Sequence, residues 1–250
     1  MQFKINAKDL RSALITNQLK VFLQPKVDLN NYDVIGYEAL LRWHHPRHGL
    51  ISADQWIKVA EEHNIITPVT LWLLDECLKQ ISKKVQLSIN VSVKSLSLDF
   101  AIRLMGIVKL YKFPPENLTI ELTETQKIEN YNSISGTLSY LRRQKIKVSL
   151  DDFGTGYNTL KTLAELEVDE IKIDTTLIQS DTHNSNFILG MIVSLAQEIN
   201  VDVVCEGIET KDLLEKAKNL GVLRGQGYFF AKPCPIEVST AHDNPVKKSA

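Results

Sequence analysis

Between residues 87 and 220 the sequence repeats one unit, a short run rich in Leu, Ile and Val followed by a longer amphipathic stretch. The runs predict strands over 87–91, 118–122, 148–151, 171–173 and 201–205, and a last one over 228–230. Helical spacing fills 100–111, 134–144, 158–165, 187–199 and 211–220, the last ended by Gly221. Strand–helix alternation of this kind demands a parallel sheet covered by helices, because each crossover must return the chain to the same end of the sheet. The N-terminal part differs. A helix over 9–19 leads into VFLQPKVDL, where Pro25 marks an edge or a bulge; Asn30, Asn31 and Asp33 then signal a hairpin into VIGYEALLRW. Those first two strands are expected to be antiparallel. Helices over 52–63 and 67–81 follow a turn at His45, Pro46 and Gly49. With about eight strands in 250 residues, closure into a (β/α) barrel is the expected solution.

Composition narrows the partners. A net charge of −1 with 24% charged residues provides no field that would select a nucleic-acid polymer or an anionic membrane, so an anionic ligand must be held locally. Cys77, Cys205 and Cys234 lack metal-site spacing and suit a reducing compartment. The N-terminus has no apolar signal segment and no run is long enough to span a bilayer, so a soluble cytoplasmic protein is expected.

The polar residues fall in a pattern. Glu38, Asn90, Glu121, Glu124, Asp151, Asp152, Lys172 and Glu206 stand toward the C-terminal ends of expected strands, and Gln226 enters the last one. In a barrel those ends meet on one face. Solvent-facing strand ends would carry an arbitrary mix of polar types, whereas carboxylates with one amide are the hard oxygen donors that Mg²⁺ or Mn²⁺ prefers. VSLDDFGTGY taken alone leaves a solvated turn and a metal site both open. Asn90 inside a strand reads as a neutral oxygen ligand, and Lys172 between two isoleucines needs anionic partners to offset its burial. His44, His45 and His48 flank a proline turn and read as surface residues.

Taken in order, YEALLRW, SINVS, IELTET, DDFGTGY, IKID, CEGIET and QGYFFAKP resemble the EAL-domain family of cyclic di-GMP phosphodiesterases, named for Glu38-Ala39-Leu40. The resemblance implies a modified TIM (β/α)8 barrel with one antiparallel strand, a single domain over 1–241 and a disordered tail over 242–250. It implies hydrolysis of cyclic di-GMP to linear 5′-pGpG with two ions of Mg²⁺ or Mn²⁺. Glu38, Asn90, Glu121 and Asp151 would hold one ion, and Asp151, Asp152 and Glu206 the other. Lys172 would orient the attacking water, Glu124 would brace the DDFGTGY loop, and Gln24, Arg42 and Gln226 would face the substrate. A homodimer and a regulatory protein partner are further expectations. The chain departs from the family at Asn158-Thr159, Cys205, Leu213 and Leu223, none of them an expected ligand. The competing reading is a non-catalytic EAL protein that binds cyclic di-GMP or a protein partner; such proteins typically lose a ligand, and here all are present.

Overall fold

A long antiparallel hairpin, β1 (Leu19–Asp28) and β2 (Val34–His45), opens the fold in a computed structural model that describes residues 5–123, 131–154 and 160–239. The strands that follow are β3 (Gly49–Ser52), β4 (Gln86–Ser92), β5 (Leu118–Thr123), β6 (Lys147–Phe153), β7 (Glu170–Ile173), β8 (Asp202–Cys205), β9 (Arg224–Gly225) and β10 (Cys234–Pro235). Helices α1 (Ala7–Ile15), α2 (Ile57–Glu62), α3 (Ile66–Gln80), α4 (Leu98–Leu110), α5 (Tyr131–Arg143), α6 (Leu160–Glu165), α7 (Thr175–Gln179), α8 (His183–Glu198), α9 (Lys211–Asn219) and α10 (Ile236–Ser239) separate and cover them.

The parallel run β2-β4-β5-β6-β7-β8-β9 is closed by β1, which pairs antiparallel with both β2 and β9. The result is a closed eight-stranded barrel with one reversed strand. β3 and β10 are short additions outside the ring, paired with β2 and β1.

Side-chain alternation divides each strand between two environments. Leu87, Ile89 and Val91 of β4, Ile120 and Leu122 of β5, Val148 and Leu150 of β6, and Ile171 and Ile173 of β7 are all buried aliphatics. They form the layer between barrel and helices, each contributing about 1.5–3 kcal/mol by leaving water. The alternate residues, Ser88, Thr119, Glu121, Ser149, Glu170 and Lys172, are equally buried but polar. The barrel interior is therefore a polar stack. Helix starts are fixed by side chains that accept otherwise unpaired backbone N–H groups: Ser97 accepts from Phe100 at α4, and Thr210 from Leu213 at α9.

Two expectations are corrected. The last barrel strand is Arg224–Gly225, not 228–230, because Phe230 and Ala231 donate their N–H groups to the Gly227 carbonyl in a turn. The aromatic run that looked like a strand is a turn following β9, and Gln226 therefore leaves a strand instead of entering one. Of the edge or bulge expected at Pro25, the bulge is found: the β1–β2 register shifts between Lys26 and Val27, and Pro25 pairs with Tyr37 alone, between the stretches of β1 that meet β10 and β9. β3 and α7, too short to show periodicity, had no counterpart in the sequence reading.

Candidate active site

Cross-strand register brings the strand-end residues to one level. Gln24 lies opposite Glu38 and Asn90 beside Glu121. At the centre stands the Lys172 ammonium. It is 2.7 Å from Glu206, 2.8 Å from Glu121, 2.9 Å from Asp151 and 3.4 Å from Glu38. The residue is 1% exposed, so its charge persists only because four carboxylates surround it. Burial alone would lower its pKa, but Asp151, Glu121 and Glu206 raise it well above the usual lysine value.

The carboxylates respond unequally. Burial raises the Glu38 pKa, with Lys172 opposing and Glu121 and Asp151 reinforcing the shift. Burial likewise pushes Glu206 up to about 8, against Lys172, and pushes Asp152 up to about 6 with help from Asp151 and Asp174. Glu121 goes the other way. Although burial opposes it, Lys172 and Lys26 hold it down at about 2. A cluster in which several carboxyl groups resist ionisation is one that added positive charge would relax.

Two adjacent aspartates on a regular strand would face opposite sides. The backbone at Asp152 turns into the left-handed region (φ 51°), and the β6–β7 register breaks between Leu150 and Phe153. This brings ligand oxygens of Asp151, Asp152 and Glu206 within 4.8 Å of one another, a group that could hold a metal ion. Gly207 follows Glu206 with φ 63°, and a Cβ there would strike the Thr175 side chain. Glycine lets α7 pack against the segment carrying Glu206.

The amides complete the donor set. Asn90 Nδ2 donates to Glu38 Oε1 at 2.7 Å, while Gln226 Nε2 donates to Glu38 Oε2 at 2.6 Å and to Gln24 Oε1 at 3.1 Å. Asn90 Oδ1 is buried with no hydrogen-bond partner among the described residues. A buried acceptor left in this state costs about 1–3 kcal/mol unless something binds it. An unpaired amide oxygen beside carboxylates is what a hard cation would use, so the residues fit a divalent metal. A cavity of about 250 Å³ opens beside them, lined by Gln24, Glu38, Leu40, Glu206, Gln226 and Tyr228 among others. The tripeptide is thereby explained: Glu38 and Leu40 face the cavity, and Ala39 packs into the core.

The structure thus brings together Gln24, Glu38, Asn90, Glu121, Asp151, Asp152, Lys172, Glu206 and Gln226. Arg42 stands apart. It is four residues beyond Glu38 on β2, about 13 Å along the strand, with Nη1 on the Leu41 carbonyl at 2.9 Å. Glu124, residues 155–157 of the DDFGTGY segment and Asn158-Thr159 after it lie outside the described residues, as does the 242–250 tail.

One layer deeper lies a group that the sequence reading missed. Lys26 Nζ donates to Glu121 Oε1 at 2.7 Å, Ser88 Oγ at 2.8 Å and Glu170 Oε1 at 3.1 Å. Burial works against its charge, but Glu121 and Glu170 hold its pKa above the usual lysine value. A signal was available: Ser88, Thr119, Ser149 and Glu170 each precede a strand-end residue by two, so a polar residue backs each one on the same face.

The EAL domain model matches residues 7–233. The chain belongs to the EAL domain family. It is 36% identical over 239 residues to the bifunctional diguanylate cyclase/cyclic di-GMP phosphodiesterase MucR of Pseudomonas aeruginosa, covering 92% of this chain and 35% of that protein. With the probable cyclic di-GMP phosphodiesterase PdeD of Escherichia coli it shares 32% identity over 238 residues, 92% of this chain and 44% of that one. The chain spans less than half the length of these curated relatives. Among solved structures, the EAL fold superposes on the PaMucR phosphodiesterase in its c-di-GMP complex with a TM-score of 0.86 and 32% identity, covering 93% of this chain and 98% of the other. The EAL enzyme Bd1971 in its cAMP- and cyclic-di-GMP-bound form gives 0.88 and 27%, covering 94% and 67%. Among the described residues no helix is long and apolar enough to cross a membrane.

Proposed function

We propose that this EAL domain is a metal-dependent phosphodiesterase that hydrolyses one ester bond of cyclic di-GMP and releases linear 5′-pGpG. The observation that carries the proposal is the convergence of Glu38, Asn90, Glu121, Asp151, Asp152 and Glu206 around Lys172 at the barrel mouth. The relatives named above as cyclic di-GMP phosphodiesterases support the same substrate. Five carboxylates and one ammonium at this level leave a formal charge of −4, which two divalent cations would offset. That balance favours two ions of Mg²⁺ or Mn²⁺, with Glu38, Asn90, Glu121 and Asp151 holding one, and Asp151, Asp152 and Glu206 the other.

When bound, such ions acidify a water and neutralise charge on the phosphate. The remaining work falls to the chain. The three donors of Lys172 are taken up by Glu206, Glu121 and Asp151 here; with ions holding those carboxylates, one donor would turn to the attacking water while the ammonium keeps its proton. Gln226 and Asn90 hold Glu38 from both sides, so its oxygens keep their orientation as substrate enters. Gln24, tied to Gln226, borders the cavity beside Leu40 and Tyr228, where a nucleotide base or sugar would lie. Arg42, farther up the rim, suits a distal phosphate oxygen. A cytoplasmic setting, a homodimer and a regulatory partner complete the proposal.

The test is incubation of the purified chain with cyclic di-GMP and Mg²⁺ or Mn²⁺, with products resolved by chromatography. Linear pGpG formed only with the metal is expected. Intact nucleotide after prolonged incubation, with binding retained, would make this domain a sensor.

A further inference from the structure

Lys26 has the three donors of an ammonium group and all three are used, on Glu121, Ser88 and Glu170, at 2.7, 2.8 and 3.1 Å. It is 4% exposed, and its partners lie on three different strands, so nothing competes for it and it has no room to leave. Glu121 is consequently divided. Its Oε1 is held from below by Lys26, and only Oε2, now 2.8 Å from Lys172, faces the level of Glu38, Asp151 and Glu206. Glu170 supplies the charge that balances Lys26 and is itself 3.8 Å from Arg224, which holds Asp202 at 2.6 Å. The Lys26–Glu170 pair adds no net charge to the site above it. Its effect there is geometric.

We propose that Lys26 sets the choice of divalent ion: by holding Oε1 it makes Glu121 a one-oxygen ligand and denies the site the extra oxygen that Ca²⁺ would take. Mg²⁺ and Mn²⁺ are satisfied by six ligands, whereas Ca²⁺ favours six to eight and readily accepts both oxygens of one carboxylate. This inference rests on the metal-dependent reading above. Ser88 and Glu170 serve as positioning residues for Lys26, acting through it and not on the ion.

The test compares the wild-type chain with the charge-balanced pair Lys26→Met and Glu170→Gln, by calorimetric titration with Mg²⁺, Mn²⁺ and Ca²⁺ separately and without nucleotide. The double variant should bind Ca²⁺ better relative to Mg²⁺ by about 10-fold or more, the scale of effects seen for groups that orient metal ligands. Equal loss of affinity for all three ions would mark Lys26 as merely structural and overturn the proposal. A second arm needs no variant: in a crystal structure of the wild-type chain with Mn²⁺, Glu121 should reach the ion through Oε2 alone with Lys26 still on Oε1. Both oxygens on one ion would overturn it. A wild-type chain that takes up none of the three ions would instead overturn the metal-dependent reading, and this inference with it; normal wild-type binding with an unchanged ratio in the variant overturns this inference alone.

Discussion

Replacing Lys172 by Met removes the ammonium from among Glu38, Glu121, Asp151 and Glu206 and leaves a side chain of similar length without charge. Breaking a buried ion pair from one side costs roughly 3–5 kcal/mol, because the remaining charge has lost its partner. Here four carboxylates lose one partner, but burial raises the pKa of both Glu206 and Glu38, so uptake of protons there softens the loss. The expected destabilisation in chelator is therefore at the lower end, about 3 kcal/mol. For a chain of this size that is about 6–12 °C in the thermal midpoint. Saturating Mn²⁺ should reverse the order of effects. A ligand at about 100 times its Kd adds about 2.7 kcal/mol, and the variant should gain more than the wild type because no ammonium competes for the same oxygens. Urea unfolding of both proteins, in chelator and in excess Mn²⁺, measures all four values. Equal stability of the two proteins in chelator, with equal increments from metal, would refute the account of Lys172 as the counter-charge of this cluster.

Other perturbations separate the parts of the site. Glu38→Ala should abolish detectable hydrolysis while leaving the circular dichroism spectrum unchanged, since it removes a ligand without removing core area; near-normal turnover at limiting metal would contradict the ligand assignment. The Glu206 carboxyl, raised to about 8 from the ordinary 4.5, binds its proton more tightly in the folded than in the unfolded chain. Its contribution is thus fully present at low pH and is lost as pH rises through about 8, so in chelator the wild type should lose more stability than Glu206→Gln between those limits. Gly207→Ala should cost about 1–3 kcal/mol, from the left-handed backbone and the encounter with Thr175, and should weaken metal binding by displacing Glu206. Ca²⁺ as the only divalent ion should bind yet support little hydrolysis, measured as pGpG formed per unit time, because it acidifies water less than Mg²⁺ does.

The barrel and its mouth were legible in the sequence because two periodicities reinforced each other. Apolar residues at every second position of SINVS and IELT specified the outward layer, and the single polar residues between them, Asn90 and Glu121, specified the level of the site. What failed to show was set by contacts distant in sequence. β9 has only two residues, and its pairing with Val27 and Cys205 defines it, not its own composition. The folding of Asp152 toward Asp151 depends on a local backbone turn that adjacent aspartates do not announce. Arg42, which lies on the same face as Glu38, was placed by the resemblance, and a matched motif carries no information on height along the strand.

Height explains why Lys26 escaped notice while Lys172 did not. In the parallel strands the residue backing a strand-end group comes two positions earlier, as Ser88 before Asn90 and Glu170 before Lys172. β1 runs the other way: Leu19 pairs with Trp43 near the mouth, and Lys26 with Gly36 near the floor. The order is therefore reversed, with Gln24 at the level of Glu38 and Lys26 two positions later and one layer deeper. A lysine following a glutamine and a proline reads as a solvent-facing residue when the strand is taken for an edge. Once β1 is recognised as the reversed strand that closes the barrel, the same period of two puts Lys26 beneath the site, where only acidic partners could keep it charged. Glu121 and Glu170 are those partners. The single antiparallel strand thus does more than close the ring: it delivers a cation to the layer under the carboxylates, where the parallel strands present Ser88, Thr119, Ser149 and Glu170.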